Sequence, residues 1–305
     1  HEKHFLFTMR SEMDCSKKDG SCSSGTCASS GTGMQPESET KNNELQERLG
    51  KIKHKILVLS GKGGVGKSTV AANVACALAL KGFRTGLLDM DFHGPSIPTL
   101  LHLEGQAIYS GAGGIAPVDY SDNLKVMSLG FLLRNQDDAV IWRGPMKMQV
   151  MKQLLEEVLW GSLDYLVMDF PPGTGDEPLS IAQLIPDIDG AIIVTTPQNL
   201  SLNDVRKSIN FCHQVKVPVL GVIENMSGFV CPHCQGVVDI FKKGGGEEMA
   251  QRMSVPFLGR IPMAMLIVEA SDEGHPFIET HQDAEVSRMF AKIVDDLIGK
   301  VSGKP

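Results

Sequence analysis

From residue 55 onward the chain alternates between short apolar runs and longer stretches whose apolar residues recur every three or four positions. The apolar runs lie at 55–60, 85–90, 124–128, 165–169, 190–195, 218–224 and 256–260. Runs of this length, rich in Val, Ile and Leu and without polar alternation, predict strands buried on both faces, the habit of a parallel sheet. Helical spacing occupies 146–159, 202–214 and 246–253, and an Ala-rich stretch at 68–80 also reads as helix. Strand and helix in alternation predict an α/β fold, a mostly parallel, doubly wound sheet with helices on both faces. Right-handed crossovers join its strands. A last helix, about 284–298, is expected to turn Val286, Met289, Phe290, Ile293 and Leu297 toward the core. No internal repeat interrupts this order.

The first 50 residues break the pattern. Between 15 and 39 they are rich in Ser, Gly, Lys and Cys with no apolar period. Residues 1–50 are therefore expected to form a disordered tail, with a short lead-in helix at 42–53. Residues 51–300 then make one folded domain. With 305 residues, 42% of them hydrophobic, the chain has ample material for one large core. A formal net charge of −7 argues against a nucleic-acid partner, which calls for a basic surface. No apolar run approaches the roughly 18 residues of a membrane-spanning helix. Asp295 and Asp296 in the last helix argue against membrane-surface binding. The apolar stretch within 1–10 is too short for a secretory signal, and Met9 or Met13 is the expected natural start. A cytoplasmic setting is the expectation. Seven cysteines, an odd number, then point to metal or redox chemistry rather than to a disulfide framework.

The run Gly61-Lys62-Gly63-Gly64-Val65-Gly66-Lys67-Ser68 follows a predicted strand and opens a predicted helix. Its spacing, G-x-x-x-x-G-K-[ST], is in that context a phosphate-binding loop. Glycines let backbone N–H groups turn inward on phosphate oxygens, and the helix N-terminus adds a favourable dipole. Lys67 is expected to reach the β- and γ-phosphates of ATP and Ser68 to hold Mg²⁺, with Thr69 beside them in the nucleotide site. Asp89 and Asp91 stand at the end of the next strand, where open α/β sheets bind ligands. Asp89 is expected to meet Mg²⁺ through water and Asp91 to orient the attacking water. Asp169 closes a later strand in the manner of a Walker-B acid and is expected to serve Mg²⁺. The Pro- and Gly-rich segment 170–176 is a candidate switch. Asn225, just past another strand, offers both donor and acceptor to an adenine edge. Lys62 is a second lysine inside the loop. Such a loop turns this side chain away from its own phosphates, so Lys62 is expected to reach a nucleotide on the facing subunit of a homodimer.

Cys231-Pro232-His233-Cys234 sits in a turn-rich segment near 228–240. Two thiolates do not close a tetrahedral site. Two copies in a symmetric dimer supply four, enough for a [4Fe–4S] cluster or for zinc. A redox disulfide is the other reading of the spacing. Cys15, Cys22 and Cys27 in the tail match no metal pattern, and Cys76 and Cys212 fall in predicted helices as packing residues.

These motifs combine with Trp142-Arg143-Gly144-Pro145, Pro171-Pro172-Gly173-Thr174-Gly175, Thr196-Pro197-Gln198 and Asn225-Met226-Ser227. Together they resemble the Mrp-type (ApbC-like) ATPases, iron–sulfur cluster carriers of the deviant-Walker group that includes MinD and ParA. The resemblance spans residues 53–298. It implies a P-loop ATPase domain that forms a cytosolic homodimer and holds a labile [4Fe–4S] cluster at the dimer interface through Cys231 and Cys234. It implies transfer of that cluster to apo-proteins, with cluster assembly scaffolds as further partners. It also implies that Lys62 acts across the dimer, that Lys67 and Ser68 bind phosphate and Mg²⁺, that Asp91 supports hydrolysis, and that Asn225 contacts adenine. A relay from 169–176 to the Cys pair would couple the two activities. Two features depart from the family pattern. The tail has three cysteines where eukaryotic cytosolic members carry a four-cysteine motif, and Asn199 stands where an acid is more usual. Two rival activities fit parts of the pattern: a MinD/ParA-type positioning ATPase with a structural zinc, and an ATP-dependent, cluster-bearing reductase.

Overall fold

The computed structural model describes residues 45–303 apart from 93, 112, 133–143, 232 and 235. The tail with Cys15, Cys22 and Cys27 lies outside the described residues, as do Trp142 and Arg143. Helix α1 (45–50) leads into β1 (Ile52–Leu59), α2 (Lys67–Leu80), β2 (Thr85–Asp89) and α3 (Ile97–Leu100). Two short strands, β3 (Ser110–Gly111) and β4 (Gly114–Ile115), precede β5 (Val118–Ser121), β6 (Leu124–Ser128) and α4 (Gly144–Glu157). Then come β7 (Leu163–Asp169), α5 (Asp176–Leu184), β8 (Gly190–Thr195), α6 (Asn199–Gln214) and β9 (Val219–Glu224). A small hairpin, β10 (Phe229–Val230) and β11 (Val237–Val238), is followed by α7 (Gly245–Arg252) and β12 (Phe257–Arg260). Helices α8 (Met265–Asp272), α9 (Phe277–Thr280) and α10 (Glu285–Ser302) complete the chain.

Eight strands form one sheet in the order β12-β9-β8-β1-β7-β2-β6-β5. All neighbours are parallel except β5 with β6, which closes one edge antiparallel. The predicted α/β sheet is thus the one that forms. Side chains alternate across each strand, and the core divides accordingly. Ile56 and Val58 of β1 pack with α2, α9 and α10, while Leu57 and Leu59 pack with α1, α4 and α6 on the other face. The register sets the carboxyl ends of three strands level, with Asp169 opposite both Val58 of β1 and Asp89 of β2.

Several expectations need correction. The lead-in helix is shorter than 42–53, because Ile52 already pairs with Leu163 as the first residue of β1. Met289 of α10 is 37% exposed, whereas Val294 and Val301 are buried. At 100° per residue Met289 falls on the margin of the buried stripe, and Val294 and Val301 fall inside it. Helices α5, α8 and α9, the antiparallel β5 and the β10–β11 hairpin were not anticipated. Each is short, and the β10–β11 strands are two residues long, too few to express a period.

Candidate nucleotide site and cysteine hairpin

The loop between β1 and α2 takes left-handed backbone at Gly64 (φ 77°) and Gly66 (φ 78°), conformations open to glycine. Gly66 is the N-cap of α2 and supplies no side-chain cap, so the first N–H groups of the helix stay available to an anion. The loop encloses a cavity of about 250 Å³ lined by Lys62, Gly63, Gly64, Gly66, Lys67, Ser68 and Thr69, with Asp91 and Pro172 facing them. Lys67 Nζ is buried, 2.6 Å from Asp169 Oδ1, 3.7 Å from Asp91 Oδ2 and 3.3 Å from Ser68 Oγ. The expected Lys67, Ser68, Asp91 and Asp169 therefore converge.

Burial raises the Asp169 carboxyl above its usual range, with Lys67 opposing. Its Oδ2 is buried without a hydrogen-bond partner. Asp89 is fully buried and accepts from the backbone N–H of Asp91, the Ser128 hydroxyl and the backbone N–H of Ile97. Burial, then the Asp169 charge, pushes it up to about 7. Asp91, not Asp89, lines the cavity; Asp89 braces the turn that presents Asp91.

Other loop residues act through the backbone or through packing. The Val65 side chain lies in the core, and its carbonyl accepts from Asn225 Nδ2 at 2.9 Å. A Cβ on Gly66 would stand 2.2 Å from that same Nδ2, so loop and Asn225 are fitted face to face. A Cβ on Gly61 would meet the Asp204 backbone at 2.6 Å, so Gly61 serves the close approach of α6. Lys62 does not stand free. It lines its own cavity, and its Nζ rests 3.5 Å from Gln198 Oε1.

Beyond Asn225 the chain turns through left-handed Met226 (φ 55°) and Gly228 (φ 80°) into the β10–β11 hairpin, where Phe229 pairs with Val238. The Cys231 N–H donates to the Gly236 carbonyl at 3.0 Å. Cys231 and Cys234 are free thiols, the first half-buried and the second exposed. Backbone N–H groups of Cys234 and His233, and the Cys234 thiol, hold the Cys231 thiol below its ordinary value. A turn whose N–H groups point at sulfur is prepared for a thiolate. Burial pushes Cys212 up to about 12 and Cys76 well above its ordinary value, as befits packing residues. Among the described residues no three His, Cys, Asp or Glu side chains gather to hold a metal ion, so one chain offers a cysteine pair and not a closed site.

Residues 51–298 match the ParA family described as NUBPL iron-transfer P-loop NTPase. The chain belongs to that family. Among this NTPase's relatives, an iron–sulfur cluster carrier protein of Methanocaldococcus jannaschii is 50% identical over 288 residues, 94% of this chain and 98% of the relative. The cytosolic Fe-S cluster assembly factor NUBP2 homolog of Trichoplax adhaerens is 48% identical over 257 residues, 83% of this chain and 97% of its own. A nucleotide-binding protein of Archaeoglobus fulgidus, solved with ADP and cobalt, is similar at a TM-score of 0.68 and 40% identity over 77% of this chain and 92% of that one. MinD of Pyrococcus horikoshii, solved with Mg-ADP, shares the fold at a TM-score of 0.59 and 24% identity over 82% of this chain and 98% of its own.

Sequence reasoning passed over Glu224, Gln198, Ser128 and Arg260 as site residues. Glu224 had a legible signal, a charged residue ending an otherwise apolar strand. The partners that keep it buried, Gly244 and Gly246, lie some twenty residues further on.

Proposed function

We propose that this P-loop NTPase binds and hydrolyses ATP and carries a [4Fe–4S] cluster as cargo, holding it between two copies of the chain and releasing it to apo-proteins. The observation that carries this reading is the Cys231–Cys234 pair, a thiolate-ready turn with half of a four-sulfur set, on a hairpin rooted beside the phosphate loop. Exposed Val238 and Ile240 on the hairpin flank, with exposed Met265 and Met289 nearby in the chain's C-terminal helices, favour an apolar interface between copies.

In this reading the α2 N-terminus and the loop N–H groups cradle phosphates, and Lys67 turns from Asp169 to the β- and γ-phosphates. The buried, unpartnered Asp169 Oδ2, with Ser68 and Asp91 beside Lys67, fits a Mg²⁺ ion and its water. Bound Mg²⁺ neutralises phosphate charge. Asp91 orients the attacking water while Asp89 holds the Asp91 turn. Lys62 leaves Gln198 to reach the facing subunit's nucleotide. Asn225 has an acceptor oxygen left for an adenine amino group. The partners are a second copy, cluster assembly scaffolds and apo-proteins in the cytoplasm, and the ATPase domain begins at α1 rather than at residue 51, because Leu45 and Leu49 are buried in its core. Among the described residues no helix is long and apolar enough to cross a membrane.

The test is anaerobic reconstitution with iron and sulfide, followed by metal analysis. About four irons and four sulfides per dimer are expected, and none in Cys231→Ala/Cys234→Ala. One zinc and no sulfide would sink the carrier reading and favour a positioning-type ATPase with a structural clamp.

A further inference from the structure

Glu224 ends β9 with no exposed surface, and the structure surrounds it with partners from both ends of the cysteine excursion. Its Oε1 accepts from the Ser227 hydroxyl, two residues before Phe229 opens the hairpin, and from the Gly244 N–H at 2.9 Å, where the chain returns. Its Oε2 accepts from the Gly246 N–H in the first turn of α7, and Arg260 Nε lies 3.4 Å from Oε1. A fully buried carboxylate is costly unless charge and N–H donors surround it. Here a helix N-terminus and an arginine do so. A Cβ on Gly246 would stand 3.0 Å from Glu224 Oε2, and one on Gly245 would stand 2.7 Å from the Pro197 carbonyl. Gly244, left-handed at φ 88°, and Gly246 thus let the backbone close on the carboxylate, while Gly245 clears Pro197. Both ends of the excursion that carries the hairpin, at Ser227 and at Gly244, meet this one side chain, and backbone bonds from Ser227 to Ile261 and from Met263 to Gly228 hold the entry as well.

The next residue faces the other way. Alternation along β9 sends Val222 to one core and Ile223 to the other. Glu224 accordingly meets α7, while Asn225 meets the phosphate loop at Val65 and Gly66. The Glu224 carbonyl accepts from Ile261 N–H at 2.9 Å and the Asn225 N–H donates to the Thr195 carbonyl at 2.7 Å, so the peptide group that joins the two residues is held from both sides. By contrast the segment at 170–176 follows β7, and β1 and β8 stand between β7 and β9. The relay expected from that segment has a longer way to go.

We infer that Glu224 is the positioning residue through which the nucleotide loop sets the posture of the Cys231–Cys234 hairpin, with Asn225 as its contact to the loop. This deepens the carrier reading and rests on it for its biological meaning. The link itself is readable without any cluster. The full chain is alkylated with iodoacetamide, with and without a non-hydrolysable ATP analogue, and the rates at Cys231 and Cys234 are read by peptide mass. Wild type is expected to change its rate with nucleotide by about fivefold or more, the lower end of ordinary coupling between two sites. In Glu224→Gln that ratio, read at a saturating concentration of the analogue, collapses toward one. Ser227→Ala, a milder cut in the same link, gives an intermediate ratio, and Glu248→Gln on the exposed face of α7 gives the wild-type ratio. A wild type that ignores nucleotide, or a Glu224→Gln protein that keeps the full ratio, overturns the inference. If Glu224→Gln does not fold, a wild-type ratio in Ser227→Ala overturns it instead. Iron and sulfide analysis of the same wild-type protein decides the carrier reading separately, whatever the alkylation ratio.

Discussion

The phosphate loop and the cysteine hairpin are neighbours built on opposite plans. The loop sits at the carboxyl ends of central strands, its Lys67 is buried against Asp169, and its Gly61 and Gly66 lie against Asp204 and Asn225 with no room for a side chain. The hairpin lies outside the main sheet on two-residue strands, and Cys234 is exposed. A site embedded in the sheet holds one ligand in one geometry. In the proposed reading a site on a shallow hairpin suits a cargo that must arrive and leave and a second copy that completes the donor set. The stiff site and the loose one then meet through the adjacent Glu224 and Asn225.

The largest test of this contrast is Lys67→Met. ATP hydrolysis should fall by about 10²–10³-fold, the usual loss when a fixed group aimed at developing charge is removed. The nucleotide-free protein should also lose about 3–5 kcal/mol in urea unfolding, because Asp169 is left buried and unpaired. Lys67→Met/Asp169→Asn should recover most of that stability and none of the hydrolysis. Iron uptake by the cysteines should survive both changes. If it does not, the two regions are not separable.

A paired glycine experiment sharpens the difference. Gly66→Ala sets a methyl 2.2 Å from Asn225 Nδ2 at a φ of 78°. It should cost about 1–3 kcal/mol through strain and abolish binding of a fluorescent nucleotide. Gly236→Ala meets the Cys234 sulfur at 3.3 Å. Its cost should stay within about 0.5 kcal/mol. Equal costs would show the hairpin to be as tightly built as the loop.

Thiol reactivity gives a smaller, graded effect. The N–H groups of Cys234 and His233 lower the Cys231 value, so its alkylation rate should reach half-maximum below the pH of about 8.5 ordinary for a thiol. Cys234→Ala removes one of the hydrogen bonds and should move that profile upward. Cys76 and Cys212 should react only after unfolding. A Cys231 profile no lower than that of a free thiol would contradict the thiolate-ready turn.

Asp164, at the far end of β7 from Asp169, is the control. Arg84, then Lys53, hold its carboxyl below the usual range. A lowered folded-state value contributes stability that is complete above about pH 3.9, the ordinary value, and is lost as the pH falls through the lowered one. Both basic partners are more than half exposed, so Asp164→Asn should cost no more than about 1 kcal/mol at pH 7. Neither hydrolysis nor iron uptake should respond; a response at either would place this edge of the sheet inside the coupled system.

Much of this organisation was readable before any coordinates. The strand runs named their own burial, and the loop motif named Lys67 and Ser68, because adjacent residues carry those signals. Asp91 and Asp169 were readable as strand-end acids. Their shared lysine was not, because Lys67 meets Asp169 across 102 positions. Asp89 shows the limit well: beside Asp91 it reads as an equal partner, and only the Ser128 hydroxyl and the Ile97 N–H reveal it as a brace.

The sequence by itself determined the parallel α/β sheet, the phosphate loop and the cysteine pair, since local periodicity and short motifs encode all three. Tertiary structure alone decided which acid faces the cavity, where Lys62 rests and what Glu224 is for. Those answers depend on groups brought together from distant parts of the chain, and a buried charge takes its role from the partners that surround it.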